Sequence, residues 1–293
     1  MDMNTAVRAF ELLLGWGLVL QSLEYLRIAA LDRVNDWTLL RLEIPTRPAF
    51  VRGLLDALLT PGRYRALIAL RLLLALWLMA GGLGLLGAAL LFAIALVLLL
   101  RWRGAFNGGS DFMTLVGLSG LLIAHAVAAW QGPEAGWRAG FWYITLQALT
   151  SYFMSGWVKL LHPSWRSGRA LPQFLDTGVY GPLAPHSAYR WPWLARAISW
   201  SFTVWEGLFP LALLDVRLAV LFCAVASVFH ALVFRFFGLN RFFWAWLATY
   251  PAIVWCAGQT GPLFGEPFVH LFGHTFVHSF GLPFAPLFTH GLA

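Results

Sequence analysis

One lysine stands in a chain whose other strongly basic side chains are all arginine: Lys159, within the stretch QALTSYFMSGWVKLLHPSWRSGRALPQFL from Gln147 to Leu175. Burial lowers the proton affinity of an amine enough for it to serve as a base near neutral pH, and a guanidinium cannot follow it there. The competing reading is mechanical: at a helix end the butyl stem packs on apolar surface while the ammonium snorkels to the interface. Two further ionisable groups, Glu206 and His230, fall inside apolar stretches joined by the tight Asp215–Arg217 turn. An ionisable residue inside a membrane span marks either a site with a partner or a polar clamp between helices, and the adjacency of these two favours the site. Arg71, near the start of another apolar run, is expected to snorkel or to pair with a buried carboxylate. His125 reads as a hydrogen-bonded packing residue.

Metal chemistry is not expected. His270, His274 and His278 share one side of any helix at a four-residue spacing, and HxxxH is a workable pair of ligands. Gly273 interrupts such a helix, and no carboxylate completes the set. A phenylalanine every fourth residue from Phe264 to Phe288 reads instead as an amphipathic or re-entrant aromatic cap. Cys223 and Cys256 lack a CxxC partner and read as small buried apolar residues.

The elements that must hold these groups are set by composition. Hydrophobic residues make up 60% of the 293-residue chain and charged residues 11%, with a mean hydropathy of +0.71. Soluble domains carry about 25% charged residues, so lipid is the expected solvent. The net charge of +7 comes without a basic run or nucleic-acid motif, which leaves nucleic acid an unexpected partner. About eight spans follow from the apolar runs, giving an all-α polytopic membrane bundle. The first runs from Ala6 to Ala30, with Glu11 and Glu24 each three residues from an arginine, Arg8 and Arg27, on its own helix face. Leu31 to Arg63 is mixed and suits short helices on the membrane surface. Leu67 to Leu100 is too long for one span and reads as a hairpin turning at Gly81-Gly82. The fourth span follows the NGGSD segment (Asn107 to Asp111), capped by Ser110 or Asp111, and ends near Trp130. The fifth is Gly140 to Leu161, the sixth Trp193 to Leu214, the seventh Val216 to Phe237 and the eighth Phe242 to Ala257. Residues 1–65 thus form a first helix with an interfacial loop, 66–257 the core, and 258–293 a Phe/His-rich tail. Basic residues collect in the loops after spans one, three, five and seven, which puts both termini on the non-cytoplasmic side of a bacterial inner membrane.

Tyr152 to Leu171, YFMSGWVKLLHPSWRSGRAL, resembles the aromatic-small-Gly-x-x-Lys-Leu…Trp-x-x-Gly-x-Ala-Leu signature of vitamin K-dependent γ-carboxylase and its bacterial relatives, the horizontally transferred transmembrane (HTTM) proteins. Arg71 opening the first core helix, the NGGSD segment, the Glu206…Pro210-Leu211 helix and Phe229-His230 agree in order and spacing. The resemblance covers roughly Ala66 to Trp255. It implies that Lys159 deprotonates a reduced quinone of the vitamin K type, whose reaction with oxygen gives an epoxide and a strong base. Glu206 and His230 would line the same cavity and orient a quinol or adjust the proton affinity of the lysine. Arg71, Trp157 and Trp165 are the expected cofactor contacts. The sequence lacks the large soluble domain with which the carboxylase holds its protein substrate, so the expectation is quinone chemistry in the bilayer rather than peptide carboxylation. The carboxylase works on the lumenal side, whereas the loop charges put the Lys159 end on the cytoplasmic side. A non-catalytic membrane subunit that docks a membrane or peptide partner through its Trp/Arg-rich loops is the alternative, in which Lys159 sits in the headgroup layer beside lipid.

Overall fold

Asp2 starts the first helix, α1 (Met3–Ala29), by accepting the Thr5 backbone N–H at 2.9 Å, and the Thr5 hydroxyl donates to its other oxygen at 2.7 Å. These bonds satisfy a donor that every helix start leaves free, and they hold the Asp2 carboxyl below its ordinary value. The computed structural model describes residues 1–31, 49–102 and 108–260, and no strand occurs among the described residues. Residues 261–293 of the Phe/His tail and residues 32–48 of the interfacial loop lie outside them.

A short surface helix, α2 (Ala49–Leu58), buries Leu55 and exposes Phe50 and Leu54. The expected hairpin is present as α3 (Pro61–Met79) and α4 (Leu85–Trp102), with Gly81 at φ +79° in the turn between them. Then come α5 (Gly108–Gln131), α6 (Pro133–Leu161), α7 (Pro192–Gly207), α8 (Val216–Phe237) and α9 (Asn240–Leu247). A two-residue turn separates α9 from a last helix, α10, over residues 250–260. Proline opens α3, α6 and α7, where its missing N–H costs nothing.

Two boundaries and one ion pair differ from expectation, and the eighth segment is broken by the turn at residues 248–249. The sixth segment is α-helical only to Gly207 and tightens into a 3-10 helix over Phe209–Leu214, because Pro210 has no N–H to continue the ladder. Ser110 and Asp111 do not cap α5, which begins at Gly108 and so carries both inside its first turn. Glu24 does not pair with Arg27 on its own helix; it accepts from Asn240 at 3.0 Å and lies 3.1 Å from Arg241, both on α9. Glu11 does pair with Arg8 as expected, and Arg8 also donates to the Met79 carbonyl of α3.

Among the described residues four helices are long and apolar enough to cross a membrane: α1, α4, α5 from Gly109, and α8. They mark the chain as a membrane protein. Its polarity is arranged accordingly. Leu73, Leu86, Trp77, Leu221 and Val228 point outward, while Gln21, Arg71, Arg101, Glu206, His230 and Arg241 are buried.

The helices approach closely where side chains vanish. A Cβ at Gly140 would run into the Gly120 carbonyl and Ala124, and one at Gly136 into the Ala124 carbonyl and Ala128. The Gly136/Gly140 pair, four residues apart, thereby seats α6 on the small-residue stripe of α5, the packing that membrane helices use when apolar burial gives no drive. α6 is the spine of the molecule. Phe141 and Ile144 pack into an apolar cluster with α1, α3, α4 and α5, while Ala148, Leu149 and Tyr152 pack into a second with α8, α9 and α10.

Candidate functional site

On the last two turns of α6, Tyr152, Ser155, Gly156 and Lys159 follow one another at spacings of three, one and three. This is the pattern that lines one face of a helix. That face meets α7. A Cβ at Gly156 would collide with the Thr203 carbonyl and the Gly207 amide, so glycine lets the two backbones touch. Beyond α6, the chain turns through Pro163–Arg166 and returns at Gly168, which has φ +82° and lies against the backbone of Ala195 and Arg196. Only glycine satisfies both demands cheaply. The Trp200 indole N–H of α7 donates to the Arg166 carbonyl at 3.1 Å and ties the turn down.

Between these two glycine contacts sits the lysine. Lys159 Nζ donates to Glu206 Oε2 at 2.5 Å and to Ser155 Oγ at 2.7 Å, and the Trp165 ring lies 5.3 Å away on another side. The Lys159 side chain is 15% exposed and that of Glu206 3%. The ammonium is thus drawn back against the helices, between α6 and α7. An ion pair so placed is held by an attraction that water screens little, and a proton can be exchanged across it without solvent.

His230 does not join this pair, contrary to expectation. Its Nε2 lies 2.8 Å from the Tyr152 hydroxyl, which in turn lies 3.0 Å from the Tyr250 hydroxyl. The reason is the angular position of α8, which presents His230 to the Tyr152 turn of α6, seven residues before Lys159. Tyr152 is walled by aromatic rings: Phe209 stacked at 3.9 Å, Trp246 at 4.5 Å and Trp205 at 5.5 Å between centroids. His230 Nδ1 and the indole N–H groups of Trp205 and Trp246 are buried here without a hydrogen-bond partner among the described residues. Sequence reasoning missed Tyr152, Ser155 and Tyr250. The first two were legible from their spacing to Lys159, whereas Tyr250 joins only through packing.

The expected cofactor contacts divide. Trp165 belongs to the lysine site. Trp157 does not: it is exposed on the other side of α6 and stacks loosely with Phe153 at 6.2 Å. Arg71 is elsewhere too, and it neither snorkels nor meets a carboxylate directly. At 2% exposed, it donates to Gln21 Oε1 at 2.5 Å and to Ser22 Oγ at 3.4 Å, because α1 sets these two polar side chains against the middle of α3. Gln21 continues to Thr114 of α5 at 3.1 Å. Arg71, Gln21, Tyr25, Asp111 and Thr114 line a cavity of about 20 Å³, room for one water. Arg241 reaches Asp111 at 3.8 Å from the other side. This second polar cluster ties α1, α3, α5 and α9 together. His125 packs edge-on to Trp137 at 5.8 Å, and its Nε2 has no hydrogen-bond partner.

Among the described residues no group of three His, Cys, Asp or Glu side chains could hold a metal ion, and the histidines of the tail lie outside them. Cys223 and Cys256 are free and buried. No protein-family model, curated protein or solved structure matches the chain.

Proposed function

We propose that the chain is a polytopic membrane enzyme that crosses the bilayer about eight times and removes a proton from a lipid-soluble hydroxyl compound of the quinol class, with Lys159 as the base. One observation carries this reading: Lys159 Nζ is 2.5 Å from the buried Glu206 carboxylate, so the amine has an acceptor for its own proton within the bundle. A base must reach the reaction uncharged, and Glu206 can supply that state by taking the proton from Lys159. The amine lone pair then accepts the hydroxyl proton of the substrate, leaving the substrate oxyanion paired with the Lys159 ammonium while the first proton stays on Glu206. Ser155 fixes the direction of the amine.

The residues fit an aromatic ring bearing oxygen atoms. Trp165 offers a ring face beside the amine. A reduced quinone, when bound, supplies an acidic hydroxyl and two electrons for oxygen chemistry. Oxidoreductase or carboxylase-like activity of the HTTM kind, suggested by the Gly156-x-x-Lys159…Trp165-x-x-Gly168 pattern, rests on that supply. The same pattern is also what joins α6 to α7, since its two glycines are the contact points.

The non-catalytic reading has its own support: with Ser155 and Glu206 as partners, Lys159 is already satisfied as an interhelical clamp. Comparing Lys159→Arg with Lys159→Met separates the two, using purified protein and reduced quinones with quinone consumption as the readout. As general base, Lys159 predicts a loss of roughly 100- to 10,000-fold in both variants. Arginine retaining turnover, or quinones remaining untouched by the wild type, would leave only the clamp.

A further inference from the structure

The turn that follows Lys159 carries more positive charge than the protein uses internally. Between Leu160 and Trp205 the sequence has four arginines, Arg166, Arg169, Arg190 and Arg196, and a single acid, Asp176. Asp176 is taken: Arg190 holds both its oxygens, at 2.7 and 3.2 Å. Arg166, Arg169 and Arg196 are exposed and have no carboxylate partner among the described residues. Arg196 lines an open cleft of about 470 Å³ together with Ser167, Pro192, Trp193, Ala197 and Trp200. Arg166 and Arg169 adjoin it, the Arg166 carbonyl accepting from Trp200 and Arg169 Nε donating to Ser167. Exposed Trp191 and Trp193 stand at it, and Leu160 and Leu161 at the end of α6, next to the turn that carries Ser167, are exposed as well. Tryptophan above an apolar band is the composition of a membrane–water interface, and arginines at that level attract anionic headgroups.

We infer that this cleft binds the headgroup of an anionic phospholipid, its phosphate held by Arg196 with Arg166 and Arg169, its glycerol edge against Trp193 and Trp200, and its chains along the outer face of α6. Charge complementarity selects the anion. The apolar surface leading away from the cleft selects a lipid over free phosphate. The inference extends the proposed function, because the cleft and Lys159 share the Pro163–Gly168 turn: Trp165 faces the amine while Ser167 faces the cleft. A bound lipid would brace the turn that closes the lysine site.

The full chain is reconstituted in nanodiscs of phosphatidylcholine with a minor share of phosphatidylglycerol, and retained lipids are counted by native mass spectrometry. The wild type should retain phosphatidylglycerol in about tenfold preference, an enrichment of the order expected from more than one interfacial arginine. Arg166→Gln/Arg169→Gln/Arg196→Gln should lower the preference towards parity, with helix content by circular dichroism unchanged. Lys159→Met should keep it, so this inference and the base assignment fail separately. Equal retention of the two lipids by the wild type would overturn it. Persistence of the preference in the triple variant, or displacement of the lipid by inorganic phosphate, would do so as well.

Discussion

Lys159 and Glu206 are worth most to this protein as a pair. Both lie among helices, so removing one partner leaves a charge without its counter-ion, whereas removing both leaves space for apolar packing. Glu206→Leu alone is expected to cost about 3–5 kcal/mol, while Lys159→Met/Glu206→Leu should return close to wild-type stability and show no turnover. Thermal unfolding in detergent measures the first difference and quinone consumption the second. If the double variant is as unstable as the single, the two residues do not form the pair described. The Asp2 cap behaves differently, being fully exposed. Bonds from Thr5 lower its folded pKa below the unfolded value near 3.8, so its contribution is complete above that pH and fades as pH falls through the lowered value. Protection of the first-turn amides of α1, relative to their intrinsic exchange rate, should fall over that window in wild type, whereas Asp2→Ala should show the lower protection already above it.

At the scale of elements, glycine decides which helices touch. Gly136 and Gly140 bring α6 onto α5, and Gly156 and Gly168 bring α6 and its turn onto α7. The first contact builds the spine; the second builds the site. Gly156→Val should therefore push α7 away and separate Glu206 from Lys159, at a cost of about 1–3 kcal/mol. Gly140→Val should cost as much while leaving the lysine pair intact. Both variants should lower the melting temperature, but only Gly156→Val should reduce turnover in proportion to loss of the pair. A Gly156→Val protein with full activity would show that α6–α7 contact is not what positions the base.

Among the described residues, Arg71, Arg101, Glu206 and Arg241 are turned inward while leucines such as Leu73 and Leu86 face outward. Arg65 of α3 donates to the Ala29 carbonyl at the end of α1, and Arg8 near the start of α1 donates to Met79 at the end of α3, so these helices run antiparallel with their ends level. The eight crossings proposed above require that alternation to continue through α4 to α10, with α7 and its 3-10 extension counted as one pass and α9 with α10 as another. Cysteines placed at Gly132 and at Ser187, in otherwise cysteine-free protein, should then be labelled by impermeant maleimide from opposite faces of sealed inside-out and right-side-out vesicles. Labelling of both from one face would remove the odd number of passes between them.

The sequence by itself determined the elements. Apolar runs, prolines at helix starts and paired glycines specify helices and their breaks through local backbone chemistry, so the α3–α4 hairpin and the Gly156-x-x-Lys159 face could be read directly. It also named Lys159 and Glu206, because an ionisable group within an apolar run is costly wherever the run packs. What only the tertiary structure decided is who meets whom. Glu24 turned from Arg27 to Arg241, Arg71 found Gln21 and Ser22, and His230 joined Tyr152 and Tyr250 instead of the lysine. Each of these depends on how far two helices are rotated about their own axes. That rotation is set by packing summed over whole faces, which no short stretch of sequence contains.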